Sequence, residues 1–226
     1  MGEGSVMKNV RVWYRKDGAC RYISHLDINR TVTRAMQMSG IPLWHTEGFN
    51  SRMYVSFALP LSLGFRGLYE CVDIRLLDDD YPFELIINNL NACLPVGLEV
   101  YEVSEPVMKP SSIAYADFDI SIASENIPMN ELLNKTQQLL ESQNIFVEKK
   151  TKKGAVKTVD LKENIARYGI SVNDNAVSLK ITLPAGSEKN VNPQLLTDVL
   201  EKNCGCEIFA DITRTKLLTK DFELFV

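Results

Sequence analysis

Residues 8–42 read KNVRVWYRKDGACRYISHLDINRTVTRAMQMSGIP, and the fold turns on how this stretch divides. Val10, Val12 and Tyr14 alternate with Arg11, Trp13 and Arg15, the period of a strand, and Lys16-Asp17-Gly18 closes it as a turn. Ser24 then stands as an N-cap with Asp27 three residues on, a capping box with Asp in place of the usual Glu. Ile28, Val32, Ala35 and Met36 fall at i, i+4, i+7 and i+8, one core-facing stripe, and Gly40-Ile41-Pro42 stops the helix.

Working outward, Met53 to Leu59 and Glu70 to Leu76 read as two strands joined by a loop from Pro60 to Gly67. Asp78-Asp79-Asp80 and Pro82 precede a helix carrying Leu85, Ile86, Ile87 and Leu90, which ends before Pro95; Leu98 to Val103 is a further strand. The order is β-α-β-β-α-β, that of a ferredoxin-like unit. PVMKPSS at 106–112 has two prolines and no periodicity and reads as a linker. The order then repeats. Phe118, Ile120 and Ile122 mark a strand, and Pro128 opens a helix with Leu132, Leu133, Leu139 and Leu140. Strands follow at Ile145 to Lys149, Ala155 to Val159 and Ala176 to Leu183, the last entered through a turn at Asn173-Asp174-Asn175. A helix opened by Asn192-Pro193 and a strand from Glu207 to Leu218 complete the set. The expectation is an α+β fold of two tandem ferredoxin-like halves, residues 1–105 and 113–226, a division that suits 226 residues.

With 45% hydrophobic and 24% charged residues, the composition excludes a disordered, collagen-like or disulfide-stapled chain. Five scattered cysteines, an odd number, point to reduced thiols and a cytoplasmic setting. No apolar run reaches the roughly 18 residues of a spanning helix, and the first residues lack a signal-peptide core. Val6 stands where a myristoylation signal wants Ser or Thr, so no membrane contact is expected. The net charge of −4 conceals a polarised chain. Residues 1–66 hold nine Lys and Arg against four Asp and Glu, and residues 67–131 hold two against thirteen. Eight of the ten arginines lie between Arg11 and Arg75, and arginine suits planar recognition of phosphate or carboxylate. Either that block faces a ligand or it faces the acidic block of its own fold.

Asp27, Arg30 and Arg34 share one polar face of the first helix. Asp27 can pair with Arg30, while Arg30 and Arg34 repel slightly one turn apart, which suits either a solvated face or an anion contact. In the loop from Thr46 to Arg52, Gly48 permits a tight backbone, Phe49 offers a stacking face, and Asn50, Ser51 and Arg52 supply donors. Such a loop suits single-stranded RNA or a nucleotide; its alternative is a structural turn with Phe49 packed under the sheet. The candidate anion or RNA site is therefore Arg21, His25, Asp27, Arg30, Arg34, Glu47, Phe49, Asn50 and Arg52. His25 and His45 are the only histidines, near Asp27 and Glu47, so His25 is the one candidate for acid–base work, against a structural role. No His-x-x-x-His or Cys-x-x-Cys set exists and Cys204-x-Cys206 is too close for a zinc ribbon, so no metal site is expected. Lys149, Lys150, Lys152, Lys153 and Lys157 surround a turn at Gly154, either a solvated edge or a phosphate track.

Cys20-Arg21-Tyr22-Ile23-Ser24-His25-Leu26-Asp27, Arg30, Arg34-Ala35, Gly40-Ile41-Pro42, Glu47-Gly48-Phe49-Asn50, Ser56-Phe57-Ala58-Leu59-Pro60-Leu61 and Leu63-Gly64 together resemble the radical SAM-linked protein family. Weaker echoes stand at Val159-Asp160-Leu161 and Asp211-Ile212-Thr213-Arg214-Thr215. That bacterial family is encoded beside, or fused to, a radical SAM protein and has no settled activity. The resemblance implies a radical SAM partner that brings the iron–sulfur cluster and S-adenosylmethionine, none of which this chain binds by a visible motif. It implies a non-catalytic accessory that binds or presents a substrate, and the family's expected gene neighbourhood makes RNA the preferred one. The alternatives are a metal-independent RNA-processing enzyme using His25, and a protein-interaction adaptor whose acidic block from Asp78 to Glu131 docks a basic partner. The chain departs from the family at Ser51-Arg52-Met53, where relatives carry a Pro-His-Pro-like stretch, so any histidine chemistry there is absent. Relatives usually start close to the first strand, which implies Met7 as the natural start.

Overall fold

The computed structural model describes residues 7–150, 156–173 and 175–226. The side chains of the lysine-rich tip around Gly154, residue Asp174 and the extension Met1–Val6 lie outside the described residues. The chain forms two compact units, one running to Ser112 and taking in Phe225–Val226, the other Ile113–Leu224. The stretch expected as a linker and the last two residues thus both belong to the first unit. Met108 donates its amide to the Val226 carbonyl at 2.8 Å, and its own carbonyl accepts from Arg11.

In the first unit the elements are β1 (Lys8–Lys16), α1 (His25–Met38), β2 (Val55–Phe57), β3 (Arg66–Leu76), α2 (Phe83–Cys93) and β4 (Leu98–Ser104). Their sheet is antiparallel in the order β4-β1-β3-β2, with Val12 opposite both Val72 and Val103. This is the split β-α-β-β-α-β arrangement expected from the sequence. Ser24 caps α1 by accepting the Asp27 amide, and the stripe Ile28, Val32, Ala35 and Met36 is buried. It packs with Val10, Val12, Val72 and Ile74 of the sheet and with Ile86 and Leu90 of α2. The second strand is shorter than the run from Met53 to Leu59 because Met53 pairs instead with His45, closing the preceding loop. The alternate face of β1 is buried too. Trp13 is 2% exposed, against the rings of Tyr69 and Phe225, and its indole donates to Ser104 Oγ at 2.9 Å.

The second unit contains β5 (Ile113–Ala123), α3 (Met129–Glu141), β6 (Phe146–Lys150), β7 (Val156–Asp160), β8 (Arg167–Asn173), β9 (Ala176–Pro184), α4 (Gln194–Cys204) and β10 (Phe209–Thr219). Its main sheet runs β10-β5-β9-β8, antiparallel, the same order as in the first unit. The strands expected at 145–149 and 155–159 do not join it. They pair with each other as a separate hairpin, β6 with β7, inserted after α3. The fourth strand of the sheet is β8, which the sequence reading left unassigned; six of its seven residues are exposed. Among the described residues no helix is long and apolar enough to cross a membrane.

Candidate functional site

The distinctive residues around the start of α1 converge on the loop between β2 and β3. A turn of 3₁₀ helix, Gly18–Tyr22, is opened by the Asp17 carboxylate, which accepts the Gly18 amide at 2.7 Å. Arg21 Nε then donates to the Gly64 carbonyl at 2.7 Å while the Gly64 amide donates to the Arg21 carbonyl at 2.8 Å. His25, first residue of α1, sets its ring edge-on to Phe57 with centroids 5.3 Å apart. Asp27 accepts the Ser24 hydroxyl at 2.6 Å and Arg30 Nη1 at 3.2 Å. The Ser24 hydrogen bond first, then Arg30, holds its carboxyl below the usual range. The Arg30 side chain is 77% exposed. Arg34, one turn on, is exposed and has no side-chain partner among the described residues.

The second part of the candidate set, Glu47, Phe49, Asn50 and Arg52, sits on a closed loop. His45 and Met53 bridge its base, Thr46 donates its amide to the Arg52 carbonyl at 2.8 Å, and the Arg52 amide donates to Thr46 Oγ1 at 3.0 Å. Gly48 turns the chain at φ +121°, which a side chain rarely adopts. Phe49 at the tip is fully exposed, at 104%. The alternative of a phenylalanine packed under the sheet is excluded. No hydrogen bond, ion pair or ring contact joins this loop to Arg30 or Arg34 among the described residues.

A support for the loop was missed in the sequence. The Arg75 guanidinium lies 4.8 Å from the Trp44 ring centroid and 4.9 Å from that of Tyr54, with Nε donating to Asn9 Oδ1 at 3.0 Å. Trp44 and Tyr54 flank the loop symmetrically in the chain, which was the available signal; Arg75 comes to them through the strand pairing of β3. Other arginines of the first third are also engaged. Arg11 pairs with Asp73 at 2.7 Å, Arg15 with Glu99 at 3.3 Å and Arg66 with Asp17 at 3.6 Å. Among the described residues no group of three or more His, Cys, Asp or Glu side chains could hold a metal ion. Cys204, beside the Cys206 thiol, has its pKa raised chiefly by burial. Such a thiol is a poor thiolate donor.

The model of a bacterial family described as "Uncharacterized protein conserved in bacteria (DUF2344)" matches residues 9–193. The chain belongs to this family. For DUF2344, the match takes in all of the first unit's secondary structure beyond Lys8 and most of the second unit. Comparison with curated proteins returns no match. Among solved structures, a chain of a Cbf5-Nop10-Gar1 complex is 8% identical with a TM-score of 0.49, over 92% of this chain and 48% of that one. This chain thus spans about half the length of that relative. An unknown protein from Galdieria sulphuraria is 11% identical with a TM-score of 0.28, over 92% of this chain and 99% of that one. Likenesses this distant carry no argument about what the DUF2344 chain binds.

Proposed function

We propose that this protein is a non-catalytic accessory that holds a single-stranded RNA through the loop 46–52, with the outward cations of α1 as a supporting patch. Through the resemblance in its sequence, its partner is a radical SAM protein that carries the iron–sulfur cluster and S-adenosylmethionine. The observation that carries the reading is Phe49, an aromatic ring left 104% exposed at the tip of a hydrogen-bonded loop. A ring with open faces offers a base a stacking platform worth about 1–3 kcal/mol. Asn50 beside it presents a donor and an acceptor to a base edge, and the Arg52 side chain has no partner among the described residues to compete with a phosphate. Fluorescence anisotropy with a labelled single-stranded oligoribonucleotide tests it. Phe49→Ala should weaken binding by roughly tenfold, and Arg30→Ala with Arg34→Ala should weaken it further. Binding untouched by all three changes overturns the assignment.

A second reading, docking of a protein without RNA, is favoured by the outward ridge of α1. Leu26, Arg30, Arg34 and Met38 recur every fourth residue and are all exposed, apolar at both ends and cationic between. Rows of this spacing are the ridges that interlock between packed helices. Co-purification with the radical SAM protein that survives ribonuclease, and is lost in Leu26→Asp, would favour it. Turnover of RNA by the purified protein in chelator, lost in His25→Ala, would replace both readings with an enzymatic one.

A further inference from the structure

The second unit carries a groove of about 340 Å³ lined by Asp117, Asp119, Arg167, Lys180, Thr182 and Lys216 among others. Along β5 and β9 the intervening residues Phe118, Ile120, Leu179 and Ile181 are buried, so the groove lies on the opposite face of the sheet from that core. Register sets its charges in rows. Asp117 is paired with Thr182 and with Lys216, and Thr182 with Arg167; in the next row Asp119 is paired with Lys180, and Lys180 with Gly169. Paired positions on neighbouring strands stand about 5 Å apart, close enough for opposite charges to meet. Yet among the described residues no ion pair joins either carboxylate to Arg167, Lys180 or Lys216.

Two wall residues are fixed in place. Thr182, 5% exposed, donates its hydroxyl to Asp117 Oδ1 at 2.6 Å. The Arg167 guanidinium lies 4.2 Å from the ring centroid of Phe222, and that ring stacks on Tyr115 at 4.6 Å. Among the described residues Phe222 is the one non-glycine in the left-handed region, at φ +61°, a conformation that disfavours a bulky side chain. At the edge strand, Gly169 leaves the groove open, with nothing within 4 Å of where a Cβ would stand.

We infer that this groove binds a small zwitterion, a free α-amino acid, with its carboxylate on Arg167 and Lys180 and its ammonium on Asp119 and Asp117. Two carboxylates two positions apart on one strand oppose a polyphosphate, and three cations around them oppose a simple polyamine. A ligand carrying both charges satisfies both sets. The volume sits at the low end of the roughly 300–1,000 Å³ of small-molecule sites, which suits a ligand of this size. The planar fork of Arg167 matches a carboxylate, and Asp119 has no hydrogen-bond partner among the described residues.

Isothermal titration of the full chain with each proteinogenic amino acid, and with inorganic phosphate and putrescine as probes of one charge sign, tests the inference. At least one amino acid should bind with a Kd of about 1 mM or tighter, and neither single-sign probe should match it. Arg167→Ala and Asp119→Asn should each weaken that binding roughly tenfold or more. Gly169→Phe, at an open position of the edge strand, should abolish it by filling the groove. Lys180→Ala, at an exposed position, provides a second cation variant, and thermal melts check that each variant remains folded. Failure of every amino acid to bind, equal binding of phosphate or putrescine, or binding that survives Gly169→Phe in a folded protein overturns the inference.

Discussion

Arg11 is fully buried, its Nε and Nη2 bound to the two oxygens of Asp73 at 2.7 and 2.9 Å and its guanidinium carbon 4.4 Å from the Phe225 ring centroid. Removing one partner of such a pair leaves a buried charge uncompensated, which costs about 3–5 kcal/mol. Asp73→Ala should therefore lower stability by about that amount in urea denaturation, whereas Arg34→Ala on the open face of α1 should stay within about 0.5 kcal/mol. Equal, small effects would show that the pair does not hold the first unit together. The sequence displayed the excess of arginine but not its destination, because the partners are remote: 62 positions separate Arg11 from Asp73 and 84 separate Arg15 from Glu99. Local spacing was legible, and the Ser24–Asp27–Arg30 cluster is where it was expected. A second hydrogen-bonded carboxylate was named in the sequence without its partners, two of which lie 15 and 16 positions away. Asp160 is held below the usual range by the Asn144 amide first, then by the backbone amides of Ile145 and Lys162. A depressed folded pKa means that its stabilising contribution is present above the unfolded value near 3.9 and is lost as pH falls through the lower folded value. A carboxyl-carbon NMR titration should accordingly place the Asp160 midpoint below that of Asp in an unstructured peptide.

Elements with a one-sided core were the readable ones. The helix α1 announced itself because its buried residues repeat with the helical period, and β5 because its buried residues repeat every second position. The edge strand β8 does carry the alternation, in Tyr168, Ile170 and Val172, but its exposure leaves no buried face and the short run was passed over. Phe146 to Lys150 and Val156 to Asp160 drew the assignment instead, although among the described residues they pair with each other and not with the main sheet. β1 shows the opposite case, a strand buried on both faces, because Phe225 covers the side that a free sheet would leave to solvent. Phe225 is 0% exposed, lies against Trp13 and accepts the Tyr69 hydroxyl at its carbonyl at 3.0 Å. Burial pushes the Tyr69 phenol up to about 12. Phe225→Ala should destabilise the first unit by about 3–5 kcal/mol and open the Trp13 indole to solvent, seen as a red shift and easier quenching of tryptophan fluorescence. Unchanged emission with unchanged melting would show that the strap is dispensable.

Across the whole molecule, the net charge of −4 opposes a polyanion, and the acidic middle third neutralises arginines of the first third in place, as Asp73 does Arg11 and Glu99 does Arg15. Within the candidate set, what remains for a phosphate backbone is narrow: Arg34 and Arg52 without side-chain partners among the described residues, and Arg30 if it leaves Asp27. Each phosphate neutralised on a single strand contributes about −0.7 to the slope of log K against log salt. Two to three contacts then give a slope of about −1.4 to −2, shallow for a nucleic-acid binder, with stacking on Phe49 supplying a salt-independent remainder. Anisotropy titrations of a single-stranded oligoribonucleotide at several salt concentrations measure this directly. The expected outcome is a shallow line that loses about 0.7 of its slope in Arg52→Ala and drops without changing slope in Phe49→Ala. A slope steeper than about −4 would mean that many more cations are engaged than Arg30, Arg34 and Arg52 provide, and the contact would have to be sought on another surface.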